Sequence, residues 1–133
     1  MPQTTQRFFE ARPESVGQAR SFASETLTDW GLLDRAEDIR LCISELVTNA
    51  LVHGTTSDRG FLVKLDVDED VVRLEVHDSR RQDPQARQAA ATDTSGRGLV
   101  LVNALADGWG VQDRNPIGKI VWSCFKAAGG TTP

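Results

Sequence analysis

Glu45, Asn49 and His53 recur at i, i+4 and i+8 within the stretch Glu45-Leu46-Val47-Thr48-Asn49-Ala50-Leu51-Val52-His53-Gly54. On a helix this spacing makes a single polar row. Ile39, Ile43, Leu46 and Ala50 make an apolar stripe directly beside it, so the row borders the buried face instead of lying opposite it. A carboxylate and an amide at the edge of a core are costly to bury unless something engages them. The neutral oxygen of Asn49 suits a hard cation such as Mg²⁺ that already carries phosphate oxygens and water. Glu45, one turn earlier, is placed to act as a general base toward water or a hydroxyl. His53, near the end of the run, caps the helix terminus or lines the same pocket. The E-x-x-x-N spacing is a weak signal alone, because a helix showing its polar row to solvent carries it too.

Three further pieces carry chemistry. Asp78 follows an alternating strand, where a carboxylate can accept a hydrogen bond from an exocyclic amine; strand-end aspartates more commonly cap turns. Gly96-Arg97-Gly98 precedes an apolar helix, so backbone can approach a ligand closely, helix N–H groups can face an anion, and Arg97 can add charge-assisted contacts. The plain alternative is a tight loop leading into a helix. Gly118 opens the last strand and can line a pocket by its backbone; Lys119 can reach a phosphate, but reads more plainly as a solvated lysine after a hairpin glycine. His53 and His77 form no zinc set with Cys42 or Cys124, whose surroundings suggest two small buried thiols in a reducing compartment. Trp30, Trp109 and Trp122 are not interleaved with basic residues, so they read as core or dimer-face aromatics and not as base-stacking platforms.

The elements that must position these residues follow from periodicity. Arg7–Glu10 is a short strand. Pro13 opens a helix in which Val16, Ala19, Phe22, Ala23, Leu27 and Trp30 recur at helical spacing, closed by Gly31. Asp34 and Glu37 resemble a capping box ahead of a helix over 35–52. Phe61–Val67 and Val72–His77 alternate as a hairpin about Asp68-Glu69-Asp70. Residues 79–95 form a functional loop or lid with a short helix over 84–91. A buried helix follows over Leu99–Leu105, then strands over Trp109–Gln112 and Lys119–Phe125 joined by a turn at Asn115-Pro116-Ile117-Gly118. The order β-α-α-β-β-loop-α-β-β predicts an α/β two-layer sandwich, a mixed, mostly antiparallel sheet with helices on one face.

At 133 residues the chain is long enough for one domain with its own core, expected over 1–126 with a loose tail at 127–133. The net charge of −4 argues against a duplex nucleic-acid binder, which usually shows a basic face. The first residues lack the basic and apolar regions of a signal peptide, and no apolar run reaches membrane-spanning length, so the expected location is cytoplasmic.

The order of these pieces resembles the ATP-binding domain shared by DNA gyrase, heat-shock chaperones and sensor histidine kinases. Ser44–Gly54 looks like the N box, Val76-His77-Asp78-Ser79 like the start of the first glycine box, Gly96-Arg97-Gly98-Leu99-Val100-Leu101-Val102 like the second, and Gly118–Trp122 like the last pocket strand. The small size and the wording around SELVTNA and GRGL are similar to the stand-alone anti-sigma-factor serine/threonine kinases. The resemblance implies ATP and Mg²⁺ as cofactors, with Asn49 holding the metal and Glu45 as catalytic base toward a partner's Ser or Thr hydroxyl. It implies that Asp78 reads the adenine amine, that Gly96, Arg97 and Gly98 wrap the phosphates, and that His53, Leu99 and Gly118 line the pocket. It also implies two protein partners, an alternative sigma factor and an anti-anti-sigma antagonist, and a homodimer in many members. Arg80 and Gln82 stand where the first glycine box usually carries glycines. Two readings follow: a regulatory kinase, or a partner-binding module of the same fold with weakened or absent catalysis.

Overall fold

Alternating apolar and polar residues give five strands, and every pairing among them is antiparallel in the computed structural model, which describes residues 2–54, 60–78, 95–113 and 118–127. The described elements are β1 (Gln3–Glu10), α1 (Glu14–Trp30), α2 (Ala36–Asn49), a π-turn (Ala50–Gly54), β2 (Gly60–Asp68), β3 (Val71–Asp78), α3 (Ser95–Leu105), β4 (Gly108–Asp113) and β5 (Lys119–Lys126). The sheet order is β1-β2-β3-β5-β4. The expected lid over 79–94, its short helix, and Arg80 and Gln82 lie outside the described residues, as do Asn115, Pro116 and Ile117.

Period-two burial sorts the sheet into two faces. Phe61, Val63, Leu65 and Val67 of β2, Val72, Leu74 and Val76 of β3, and Val121 and Phe125 of β5 turn inward and join Ala19, Ala23, Leu27, Ile39, Ile43, Leu46 and Val47 of the helices in one core. Each such Val, Leu, Ile or Phe side chain contributes about 1.5–3 kcal/mol on full burial. Phe9 adds aromatic geometry, stacked on Phe61 at 5.5 Å between centroids and edge-on to Phe22 at 6.1 Å. The other face carries Arg73, Glu75, His77 and Trp122. There the Arg73 guanidinium lies 4.5 Å from the Trp122 ring and bonds Glu75, which also meets His77 Nε2 at 2.7 Å.

Local chemistry ends the elements where expected in some places and not in others. Gly31 adopts φ 73° at the end of α1, and its N–H reaches the Leu27 and Thr28 carbonyls, as the αL cap requires. The capping box ahead of α2 does not form. Arg35 holds the N-cap position and no side chain caps the helix. The Arg35 side chain is instead turned into a long-range knot. Its Nε donates to Asp38 Oδ2 at 3.1 Å, Nη1 to Asp107 Oδ2 and the Lys126 carbonyl at 2.9 Å each, and Nη2 to the Leu105 carbonyl at 2.7 Å. The guanidinium also lies 5.4 Å from the Phe125 ring. Asp107 Oδ2 accepts a second bond from the Lys126 N–H at 2.7 Å. One planar fork thus fastens the start of α2 to the end of α3 and the end of β5. Ala127, expected in the loose tail, is buried, and its N–H donates to the Asp70 carbonyl at 2.7 Å.

Two predictions follow from this frame. Arg35→Met keeps the stem but abandons two carbonyls and two carboxylates, so it should cost about 2–4 kcal/mol in urea denaturation. Arg35→Lys should recover little, because one ammonium cannot reproduce the fork. The β2–β3 hairpin turns on Glu69 (φ 51°) and Asp70 (φ 67°), both left-handed, in the manner of a type I′ turn. Replacing them with Asn-Gly should raise stability by about 1 kcal/mol, read as a shift in denaturation midpoint.

Candidate functional site

α2 carries the central pair. Its buried stripe is Ile39, Cys42, Ile43, Leu46 and Val47, continued by Ala50. At 100° per residue, Ser44 falls on one flank of that stripe, and Asp38, Glu45 and Asn49 on the other. The Ser44 flank faces α1, since Arg20 Nη1 donates to Ser44 Oγ at 3.1 Å. The opposite flank faces the α3 side, since Arg35, bonded to Asp38, reaches Leu105 and Asp107. Glu45 and Asn49 are both half-buried there, as the sequence predicts for a row bordering the core.

The helix does not run on to His53. It gives way after Asn49 to the π-turn, whose wider winding breaks the i, i+4 register. The expected row of three is therefore a row of two plus a residue on a differently wound turn; the His53 side chain lies outside the described residues. π-turns inside helices frequently mark functional sites. Both α2 and the π-turn pack against β3, the strand that ends in Asp78.

Asp78 is the last residue of β3, not the first of a loop, and it is 2% exposed on the inward face. A carboxylate this deep must be hydrogen-bonded. One donor is the Lys119 backbone N–H, 3.3 Å from Asp78 Oδ1. Asp78 and Lys119 are directly paired across β3 and β5. Gly118, at φ 100°, makes the left-handed approach that brings the chain into β5 at this point. α3 begins at Ser95, so Gly96, Arg97 and Gly98 occupy its first turn instead of ending a loop before it. Their backbone is at a helix N-terminus, as an anion-binding reading requires; the side chains of Arg97 and Leu99 lie outside the described residues.

Among the described residues no group of three or more His, Cys, Asp and Glu side chains could hold a metal ion. The neutral amide oxygen of Asn49 is of the kind that Mg²⁺ can take alongside phosphate oxygens and water. Cys42, beneath this flank, is pushed up to about 12 by burial, with Asp38 and Glu45 adding to the rise and Arg35 opposing it. Its thiol is neutral and inert at physiological pH. Sequence reasoning missed two residues here. Arg35 read only as the start of a helix, since its partners other than Asp38 lie 70 to 91 positions away. Lys119 read as solvated, yet it is half-buried in register with Asp78.

The sequence profile described as a histidine kinase-like ATPase domain matches residues 9–125. No curated protein matches the chain. Among solved structures, it is similar to the crystal structure of the RsbU and RsbW domains of Rv1364c from Mycobacterium tuberculosis, with a TM-score of 0.71 and 22% identity over 93% of this chain. The chain spans about a third of that protein's length, 32%. Among the described residues no helix is long and apolar enough to cross a membrane.

A thiol-reactive dye should label the native protein once, at the partly exposed Cys124, and Cys42 only after unfolding. Because the folded Cys42 value is raised, its contribution to stability is intact below the ordinary thiol range near 9 and should be lost as pH rises toward about 12. In Cys42→Ala that alkaline component of the stability–pH curve should vanish. From its profile over residues 9–125 and its antiparallel sheet backed by helices, the chain belongs to the histidine kinase-like ATPase domain family.

Proposed function

We propose that this domain binds ATP with Mg²⁺ and acts as a regulatory serine/threonine kinase of the anti-sigma-factor type, working in the cytoplasm. The observation that carries the reading is the half-buried pair Glu45 and Asn49 on α2, packed beside the strand that ends in the buried Asp78. Asp78 accepts the exocyclic amine of adenine. The first turn of α3, with Gly96, Arg97 and Gly98, supplies backbone N–H groups to the phosphates, and His53, Leu99 and Gly118 line the remainder. Asn49 would hold Mg²⁺, and with the ion bound the site would gain charge neutralisation at the transferred phosphoryl group. Glu45 takes the proton of the incoming Ser or Thr hydroxyl. Phosphoryl transfer asks for positioning and charge neutralisation more than covalent chemistry, which suits so small a domain.

The partners in this reading are an alternative sigma factor, which the domain sequesters, and an anti-anti-sigma antagonist, which it phosphorylates. The likeness to a structure containing an RsbW domain supports the fold on which this rests. A second reading has its own observation. Arg80 and Gln82 replace two glycines of the first glycine box, which favours a module that sequesters its partner without phosphate transfer.

Calorimetric titration with ATP and Mg²⁺ separates the two. The kinase reading expects heat with the wild-type protein and at least tenfold weaker Mg²⁺-dependent binding in Asn49→Ala. It further expects phosphorylation of a captured antagonist to fall by about 10²–10⁴-fold in Glu45→Ala with nucleotide binding retained. Absence of heat with the wild type, alongside retained capture of a sigma factor, would leave sequestration as the function.

A further inference from the structure

Lys119 occupies a position that its solvated reading does not explain. In β5, Val121, Ser123 and Phe125 alternate inward, and Lys119 is next in that series. It is paired with Asp78 of β3 on one side and with Asp113 of β4 on the other. Directly opposed residues share a face and lie about 4.5–5.5 Å apart at Cα. The end of the sheet therefore carries a row of acceptor, donor and acceptor on the helix side: Asp78, Lys119, Asp113. The Lys119 backbone N–H already donates to Asp78 Oδ1 at 3.3 Å, which ties the two residues at their roots.

An ammonium group has three donors and no acceptor, on a stem of four carbons. It can lean on flanking carboxylates and still direct one N–H to a third group. The purine edge proposed for Asp78 presents an amine donor and, next to it, the ring nitrogen N1, an acceptor. A carboxylate alone satisfies only the first. A carboxylate and an ammonium side by side match both. Resting on the nucleotide reading above, we propose that Lys119 is a specificity-determining residue of the pocket, donating to the N1 acceptor of adenine while Asp78 accepts from its amine. A lysine serving only to balance the two carboxylates would not distinguish one base from another, and one reaching a phosphate would not sense N1.

Isothermal titration of the wild type and Lys119→Met with ATP and with 1-deaza-ATP, which lacks the N1 acceptor, tests this. The wild type should bind ATP about tenfold more tightly than 1-deaza-ATP, the worth of one charge-assisted hydrogen bond. Lys119→Met should bind ATP about tenfold more weakly and no longer tell the two ligands apart. Equal affinities of the wild type for both ligands would overturn the proposal without recourse to the variant. So would a Lys119→Met loss that is the same for both, which would mark a phosphate or general electrostatic contact. A wild type that binds neither ligand removes the nucleotide reading itself, and this assignment with it.

Discussion

A single guanidinium decides how the two layers meet. Arg35 is the point at which α2, α3 and β5 are held in one mutual position, through a planar group whose donors point in fixed directions. Apolar packing between the layers is non-directional and tolerates small slides. The bonds to the Leu105 and Lys126 carbonyls do not. The Lys126 N–H and then the Arg35 guanidinium hold the Asp107 carboxyl below its usual range, so the knot favours that group's charged form. It lies at one end of α2, while Glu45 and Asn49 project from the same flank further along. The knot thereby fixes the angle at which α2 presents that pair.

The sheet divides labour between its faces. On β2 and β3 the inward face is apolar until its last row, where Asp78 and, in register with it on β5, Lys119 appear at the margin of the core; Ser123 is the buried polar residue further along β5. The outward face carries a closed polar and aromatic set of its own, in which burial pushes Glu75 up but hydrogen bonds from Arg73 and His77 prevail and hold it below the usual carboxylate range. Charge on one face is thus matched locally and makes no demand on the other.

What the sequence disclosed follows from the range of the interactions involved. Period-two alternation in Phe61–Val67 and Val72–His77 is local, so the central hairpin was readable to within a residue at each end. Gly31 closed α1 as read, because an αL cap needs only one residue. The Glu45 and Asn49 flank was readable because helical geometry relates i to i+4 without outside help. The misreadings had non-local or unusual causes. Asp34 and Glu37 matched a capping pattern, but Arg35 was committed elsewhere by partners that only the tertiary fold supplies. The π-turn after Asn49 has no period of its own in sequence, so His53 was carried forward on a register that had already ended. Lys119 looked solvated because its neighbours in the chain are a glycine and a strand, while the aspartate beside it is 41 positions away.

The alternation of β3 carries a consequence for how this segment can vary. His77 and Asp78 are consecutive, and they serve opposite sides of the sheet. A one-residue insertion or deletion at the start of β3 would exchange every later member of the two sets. The imidazole would be delivered toward the helices and the carboxylate to the open side, and Arg73 and Glu75 would be driven among the valines. Changes of residue along the strand are therefore tolerated more readily than a change of its length, which would have to be absorbed in a bulge or in the segments that join the strands.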